Sequence, residues 1–439
     1  MCGFVACKNS EYDIRHLLKG IHYRGLPGYV GYEQVGEYQL GHVSLPFVNL
    51  DLEKAIQPRK GKPSLFVGEI FNYKELGYED DIECINTTWD LEGIDGFHKF
   101  DGFWTYVTID RDDLVGVTDH LGIKPLYYRS DVEAMASEPN SLLGFGRVTR
   151  NELFHSNVMK WGYDPTGGTP WNEIKHLKPG HMVRNGREYK YWDWDRIVLK
   201  DNLYDTLKKS VDLRLGGQRE VAVLLSGGLD SSIIYGLLKD LGRTVTAIHI
   251  NNGEKEFADQ VLQPGDSMNY IEFDEMTMAS ITPGQAVAIH QSPVDLGSVI
   301  PQIAMGRKLR QLGFHAVMTG DGADELFGGY KRAAEYDSQY SDTFCELPYY
   351  HLPKLDRTMM KSTIELRAPF LAPNVIRHAL NTDYSERNGV KRLLKETFKN
   401  IVPQSVLDRD KVPLKTKKIR TDPMKVRKDN EYYWRVIYG

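Results

Sequence analysis

Seven residues, Ser226-Gly227-Gly228-Leu229-Asp230-Ser231-Ser232, place hydroxyls, glycines and a carboxylate in an order suited to gripping a polyphosphate. They follow the apolar run Val221-Ala222-Val223-Leu224-Leu225, which reads as a buried strand, and they lead into a helix expected from Ser231. The two glycines allow a tight turn with exposed backbone N–H groups, and a helix N-terminus adds its own attraction for anions. No Gly-Lys-Ser/Thr follows, so the spacing is not that of the kinase-type phosphate loop; a leading Ser with a central Asp suits pyrophosphate plus Mg²⁺. A second stretch, Thr319-Gly320-Asp321-Gly322-Ala323-Asp324-Glu325, follows a strand expected to end at Met318. Its clustered carboxylates suggest Mg²⁺ shared with the polyphosphate, whereas the helix dipole alone accounts for only one of the three acids.

Both loops must be carried at the carboxyl ends of parallel strands, where sites of open α/β sheets lie. Past about residue 200 the sequence supplies that frame. Strand-like Val221 to Leu225, Val245 to Ile250 and His315 to Thr319 alternate with helix-like Ser231 to Leu241, Glu254 to Leu262 and Val299 to Leu312. The earlier part is strand-rich and turn-rich, with β-branched or aromatic runs at Ser64–Val67, Trp104–Ile109 and Leu114–Val117. The change of grammar falls near Tyr191-Trp192-Asp193, after the turn Leu177-Lys178-Pro179-Gly180.

A length of 439 residues predicts two or three domains, and 41% hydrophobic with 26% charged residues is ordinary globular composition. A net charge of −5 leaves no whole-chain footprint for nucleic acid, and the basic segment Arg409–Lys428 reads as a solvated or phosphate-facing stretch. Cys2, Cys7, Cys84 and Cys345 are too scattered for a disulfide framework or a zinc site, which fits a reducing cytosol. The N-terminal residues lack a signal-peptide core and no run approaches a membrane span, so a cytoplasmic protein is expected.

The Ser226–Ser232 heptad resembles the PP-loop of ATP pyrophosphatases, which split ATP into AMP and pyrophosphate. With Cys2-Gly3-Phe4, Gly68-Glu69-Ile70-Phe71-Asn72-Tyr73, Asp119–Tyr128, Gly320–Tyr330, Glu365–Leu371 and Pro403–Lys411 in order, the chain resembles the glutamine-hydrolysing asparagine synthetases over nearly its whole length. The resemblance implies an α+β N-terminal domain, an Ntn-type αββα sandwich over residues 1–195, followed by an α/β PP-loop domain with a parallel sheet over residues 196–439. It implies a glutaminase nucleophile at Cys2, whose α-amine, free once Met1 is removed, takes the thiol proton. Arg24, Gly68, Glu69 and Asp90 are then the glutamine-binding residues. Leu225, Ser226, Gly227, Gly228, Asp230, Ser231, Ile250, Thr319 and Gly320 bind ATP, Asp230 and Asp324 hold Mg²⁺, Asp321 is a catalytic acid, and Lys411 neutralises charge on the α-phosphate.

The chain departs from the family pattern at several places. Val67 stands where an Asn usually supplies an oxyanion donor, Ser44 where an Arg clasps the glutamine carboxylate, and Ala372 where an Asp follows Pro-Phe-Leu. Arg24-Gly25-Leu26-Pro27-Gly28 replaces the usual Arg-Gly-Pro-Asp, and Arg24 is the first candidate to replace the missing clasp. The expected reaction is activation of aspartate by ATP, release of pyrophosphate, and displacement of AMP by ammonia from glutamine; the partners are these small molecules, with a homodimer left open. A ligase acting on another carboxylate, and a non-catalytic nucleotide-binding relative with a relic glutaminase, stand as the alternatives.

Overall fold

The computed structural model describes residues 2–8, 11–46, 51–194, 201–216, 220–251, 255–272, 280–291, 296–330, 339–382, 391–409 and 437. Its strands are β1 (Gly3–Lys8), β2 (Val30–Val35), β3 (Tyr38–Val43), β4 (Ser64–Ile70), β5 (Gly102–Asp110), β6 (Asp113–Thr118), β7 (Tyr127–Arg129), β8 (Ala134–Ala136), β9 (Lys175–His176), β10 (His181–Arg184), β11 (Arg187–Lys190), β12 (Glu220–Leu224), β13 (Thr244–Asn251), β14 (Ser267–Glu272), β15 (Ala316–Met318) and β16 (Glu365–Arg367). The first eleven form two antiparallel sheets, ordered β2-β3-β1-β8-β7-β9 and β11-β10-β6-β5-β4.

Alternation along the strands makes these sheets a sandwich. Phe4 and Ala6 of β1 pack with Leu65 and Val67 of β4 in the core between the sheets. Val5 and Cys7 point the other way, onto α1 (Ile14–Lys19) through Ile14 and Leu18. Phe66 and Ile70 of β4 likewise turn outward onto Cys84 and Ile85 of α2 (Asp81–Glu92). A period of two therefore gives each strand two apolar faces, and covering both requires four layers, helix-sheet-sheet-helix. This is the αββα arrangement expected from the family resemblance.

The remaining five strands form a wholly parallel sheet, β14-β13-β12-β15-β16. Strands expected at Val221, Val245 and His315 and helices expected at Ser231 and Val299 are all present, with ends shifted by a few residues. Helix α3 (Leu203–Leu213) opens this half, and α4 (Leu229–Asp240) follows the phosphate loop. Ile233, Ile234, Leu237 and Leu238 of α4 are fully buried, each worth ~1.5–3 kcal/mol of apolar burial. Gly236 lets α4 approach the chain at Ile401, since a Cβ there would lie 2.7 Å from the Ile401 carbonyl oxygen. Three further helices matter to the site: α5 (Leu296–Gln311), α6 (Ala323–Leu326) and α7 (Leu352–Met360). Among the described residues no helix is long and apolar enough to cross a membrane.

Candidate functional site

The loops after β12 and β15 meet across one cavity, as their places at the carboxyl ends of neighbouring strands require. Gly227 takes a φ of +75°, the left-handed turn that only glycine adopts freely, and a Cβ there would strike Ala258 N at 2.7 Å. The turn is knitted by Ser226 and Ser231. Their hydroxyls lie 3.0 Å apart, Gly228 N–H donates to Ser226 Oγ at 3.2 Å, and Ser226 N–H donates to Ser231 Oγ at 3.2 Å. Gly228 is the N-cap of α4, which sets Asp230 in its first turn.

Of the residues expected to bind ATP, Leu225, Ser226, Gly228, Asp230, Ser231, Ile250, Thr319 and Gly320 line this cavity, together with Asp321 and Asp324; Gly227 shapes the loop from behind. The two loops touch at Gly320, where a Cβ would lie 2.7 Å from Asp230 Cβ. Lys411 lies outside the described residues.

Lys391, which no sequence motif marks, also lines the cavity. Its ammonium bridges Asp230 and Asp324, the latter at 2.5 Å, and both carboxylates raise its pKa against the opposing effect of burial. Its φ is +62°, strained for a residue with a side chain and common at functional positions. No sequence signal marks that conformation. The donor set fits Mg²⁺: this ion is held by one or two carboxylates plus phosphate oxygens and water, and here two carboxylates from facing loops already share one cation. Gly329 keeps the place open, because a Cβ would fall 1.9 Å from Asp324 Oδ1.

The second cavity is a crevice around Cys2, lined also by Ser44, Arg59, Gly68, Glu69, Asp80, Asp81 and Glu365. Cys2 Sγ lies 3.6 Å from Ser44 Oγ and accepts from Leu45 N–H at 3.5 Å. Val67 points into the core between the sheets, so no side-chain oxyanion donor comes from that position. Gly68, at φ +131°, passes so close to β5 that a Cβ would lie 1.9 Å from the Phe103 carbonyl oxygen.

Two residues expected to bind glutamine stand elsewhere. Asp90 lies far along α2, half-exposed and ion-paired with Lys62. The acid that α2 sends to the crevice is Asp81, at its first turn, with its carboxyl pushed up to about 7 by burial, by Asp80 and by the neighbouring Cys2. Arg24 is wholly buried and already engaged: with Glu138 at 2.7 Å, Asp356 at 2.8 Å and the Cys2 carbonyl at 3.2 Å. It fixes Cys2 and cannot turn to a carboxylate in the crevice without abandoning two buried acids. Glu69 does reach the crevice, but Oε1 accepts from Arg367 Nη2 at 2.7 Å while Arg367 Nε donates to Glu365 at 2.9 Å. Burial and Glu365 push Glu69 upward; Arg367 holds Glu365 down.

Between the two sites lies a third, small cavity, lined by Phe103, Ile123, Lys124, Leu366, Ala368 and Leu371 among others. Thr319, Asp321, Leu355 and Leu366 line both it and the first cavity. Strand β16 thus borders all three spaces, Glu365 on the Cys2 crevice and Leu366 on the other two. Asp321, whose carboxyl is raised chiefly by burial, stands at the junction.

Comparison with known proteins gives matches to both halves of the chain. The Glutamine amidotransferase domain model matches residues 1–192, and the Asparagine synthase model matches residues 202–345 and 332–431. Asparagine synthetase B [glutamine-hydrolyzing] of Escherichia coli is 26% identical, over 85% of this chain and 73% of its own. A probable asparagine synthetase [glutamine-hydrolyzing] of Schizosaccharomyces pombe is 26% identical, over 94% and 84%. Among solved structures, an allosteric regulatory enzyme of purine biosynthesis superposes with a TM-score of 0.32 at 11% identity, over 62% of this chain and 80% of its own, too loosely to bear on the assignment.

Proposed function

Because the chain belongs to the glutamine-hydrolysing asparagine synthetase family, we infer that it converts aspartate, ATP and glutamine to asparagine, AMP, pyrophosphate and glutamate. We place the division between its two catalytic domains at residues 195/196. The observation that carries the reading is the chain of three cavities along β16, a thiol at one end and a polyphosphate loop at the other.

At the first site Cys2, with Met1 removed, attacks the glutamine amide, its own α-amine taking the thiol proton. Asp81 is suited to the glutamine ammonium, and Leu45, whose N–H reaches Cys2 Sγ, and Gly68 line the crevice as the backbone offered to the reacting carbonyl. The proton held by the α-amine passes to the amide nitrogen, the C–N bond breaks and ammonia leaves as the thioester forms; water then hydrolyses the thioester, returning glutamate and the free thiol.

At the second site the aspartate β-carboxylate attacks the α-phosphate of ATP. The P–O bond to pyrophosphate breaks and β-aspartyl-AMP forms. Ser226, Ser231 and the first turn of α4 cradle the departing pyrophosphate, and Lys391 offers it a positive charge. Asp230 and Asp324 would hold Mg²⁺, which when bound supplies charge neutralisation on the phosphates. Lys411 is the further cation proposed for the α-phosphate. Ammonia arriving through the middle cavity attacks the acyl carbon beside Asp321, and AMP leaves.

Pyrophosphate release from ATP, measured with aspartate and with a panel of other carboxylates, tests this reading. Aspartate-dependent release that is lost in Asp230→Ala and in Asp324→Ala is expected. Turnover of either variant at the wild-type rate would remove these residues from the site, and release that depends on another carboxylate would replace aspartate as the acceptor.

A further inference from the structure

Glutamine carries its ammonium and its carboxylate on one carbon, so the partner of each must stand within a few ångströms of the other. In the Cys2 crevice Asp81 supplies the acidic partner, while the residue beside the thiol, Ser44 at 3.6 Å, carries no charge. Arg24 is committed to Glu138 and Asp356. Among the described residues lining the crevice, two cations are left, Lys54 and Arg59.

Lys54 is exposed on a short helix, whereas Arg59 is anchored. Its Nε and Nη2 donate to the Lys54 carbonyl at 3.1 and 2.8 Å, and Nη2 also meets Asp80 Oδ2 at 3.0 Å. Asp80 is itself fixed, its Oδ1 accepting from Glu83 N–H at 2.8 Å as the N-cap of α2. The guanidinium is thereby held next to the residue that adjoins Asp81. These three bonds use Nε and Nη2, which leaves the Nη1 donors for a ligand.

We propose that Arg59 is the residue that binds the glutamine α-carboxylate in this protein. The pairing of Arg59 with Asp80 serves to orient the guanidinium, and the ammonium goes to Asp81. The proposal rests on the reading of the crevice as the glutamine site. A planar, pre-oriented guanidinium suits a carboxylate better than a mobile ammonium, so Arg59→Lys should restore only part of what Arg59→Ala loses.

The test is glutamate release from glutamine, compared with hydrolysis of 4-aminobutanamide, which is glutamine without its carboxylate. Arg59→Ala should raise the KM for glutamine by roughly 10–100-fold, the usual worth of a charge-assisted pair, with a much smaller change in kcat. For 4-aminobutanamide, wild type and Arg59→Ala should have the same kcat/KM, a result that a structural role for Arg59 cannot give. An unchanged glutamine KM, an equal loss with both amides, or a shift of the effect to Lys54→Ala would overturn the assignment. Failure of the wild type to release glutamate at all would instead remove the glutaminase reading beneath it.

Discussion

A carboxyl held near neutrality sets its own pH limit on binding, and Asp81 is such a group. Its pKa is raised to about 7, chiefly by burial, and in the proposed role only its ionised form would attract the glutamine ammonium. Below pH 7 the carboxylate fraction falls about tenfold per unit, so kcat/KM for glutamine falls with it. The α-amine of Cys2 titrates nearby, but its effect cancels in the ratio of kcat/KM for glutamine to that for glutaramate, which lacks the α-amine. That ratio should decline below pH 7 in the wild type and be flat in Asp81→Asn; a flat wild-type ratio would take the ammonium away from Asp81. The sequence displays the acids of α2 without showing which one faces Cys2. Asp81 and Asp90 lie on one helix, and only the packing of α2 against β4 separates a crevice residue from one paired with Lys62. The engagement of Arg24 is hidden for a similar reason, since its partner Asp356 lies 332 positions away. Lys391 is invisible in the sequence because its significance is a backbone conformation and two acids brought from different loops.

Among the elements, the two loops at the strand ends are the most legible, because few structures other than a ligand-binding loop need a glycine-rich turn between an apolar run and a helix. Their contact is also where the fold is least tolerant. Gly320 lies against the first turn of α4, with Asp230 Cβ 2.7 Å, Asp230 C 3.0 Å and Ser231 N 3.1 Å from the place of a Cβ. Backbone atoms cannot yield as a side-chain end does. Gly320→Ala should therefore push the two loops apart, cost about 1–3 kcal/mol of stability and weaken ATP binding, read as a lower Tm and a higher KM for ATP. A variant with wild-type Tm and KM would show that the loops have slack. In the sequence β16 is no more than part of the Glu365–Leu371 motif. What it does, bordering three cavities with consecutive residues, depends on its pairing with β15 and on the sandwich packed against it, and neither is written in a three-residue strand.

On the scale of the molecule, the two halves are joined by buried charge. Asp356 of α7 meets Arg24 and Lys124 of the sandwich, Arg367 of β16 meets Glu69, and Arg214 at the end of α3 meets Asp101. Apolar contact would hold the domains together as well, but buried pairs penalise any misalignment, since a charge left without its partner costs about 3–5 kcal/mol. Such fixed alignment suits the proposed passage of ammonia from one site to the other. The change from a strand-rich first part to an alternating α/β second part is legible in local motifs; the connection between them is not, because it consists of contacts between residues more than a hundred positions apart. The central claim is that one chain carries nitrogen from Cys2 to an acyl-adenylate of aspartate. It is tested most directly by supplying glutamine labelled with ¹⁵N in the amide, together with aspartate, ATP and an excess of unlabelled ammonium, and analysing the product by mass spectrometry. The account predicts asparagine carrying ¹⁵N in its side-chain amide well above the share expected from mixing with the free ammonium, with AMP and pyrophosphate formed in step. Asparagine labelled only to the level of the mixed pool, or no asparagine at all, would contradict it.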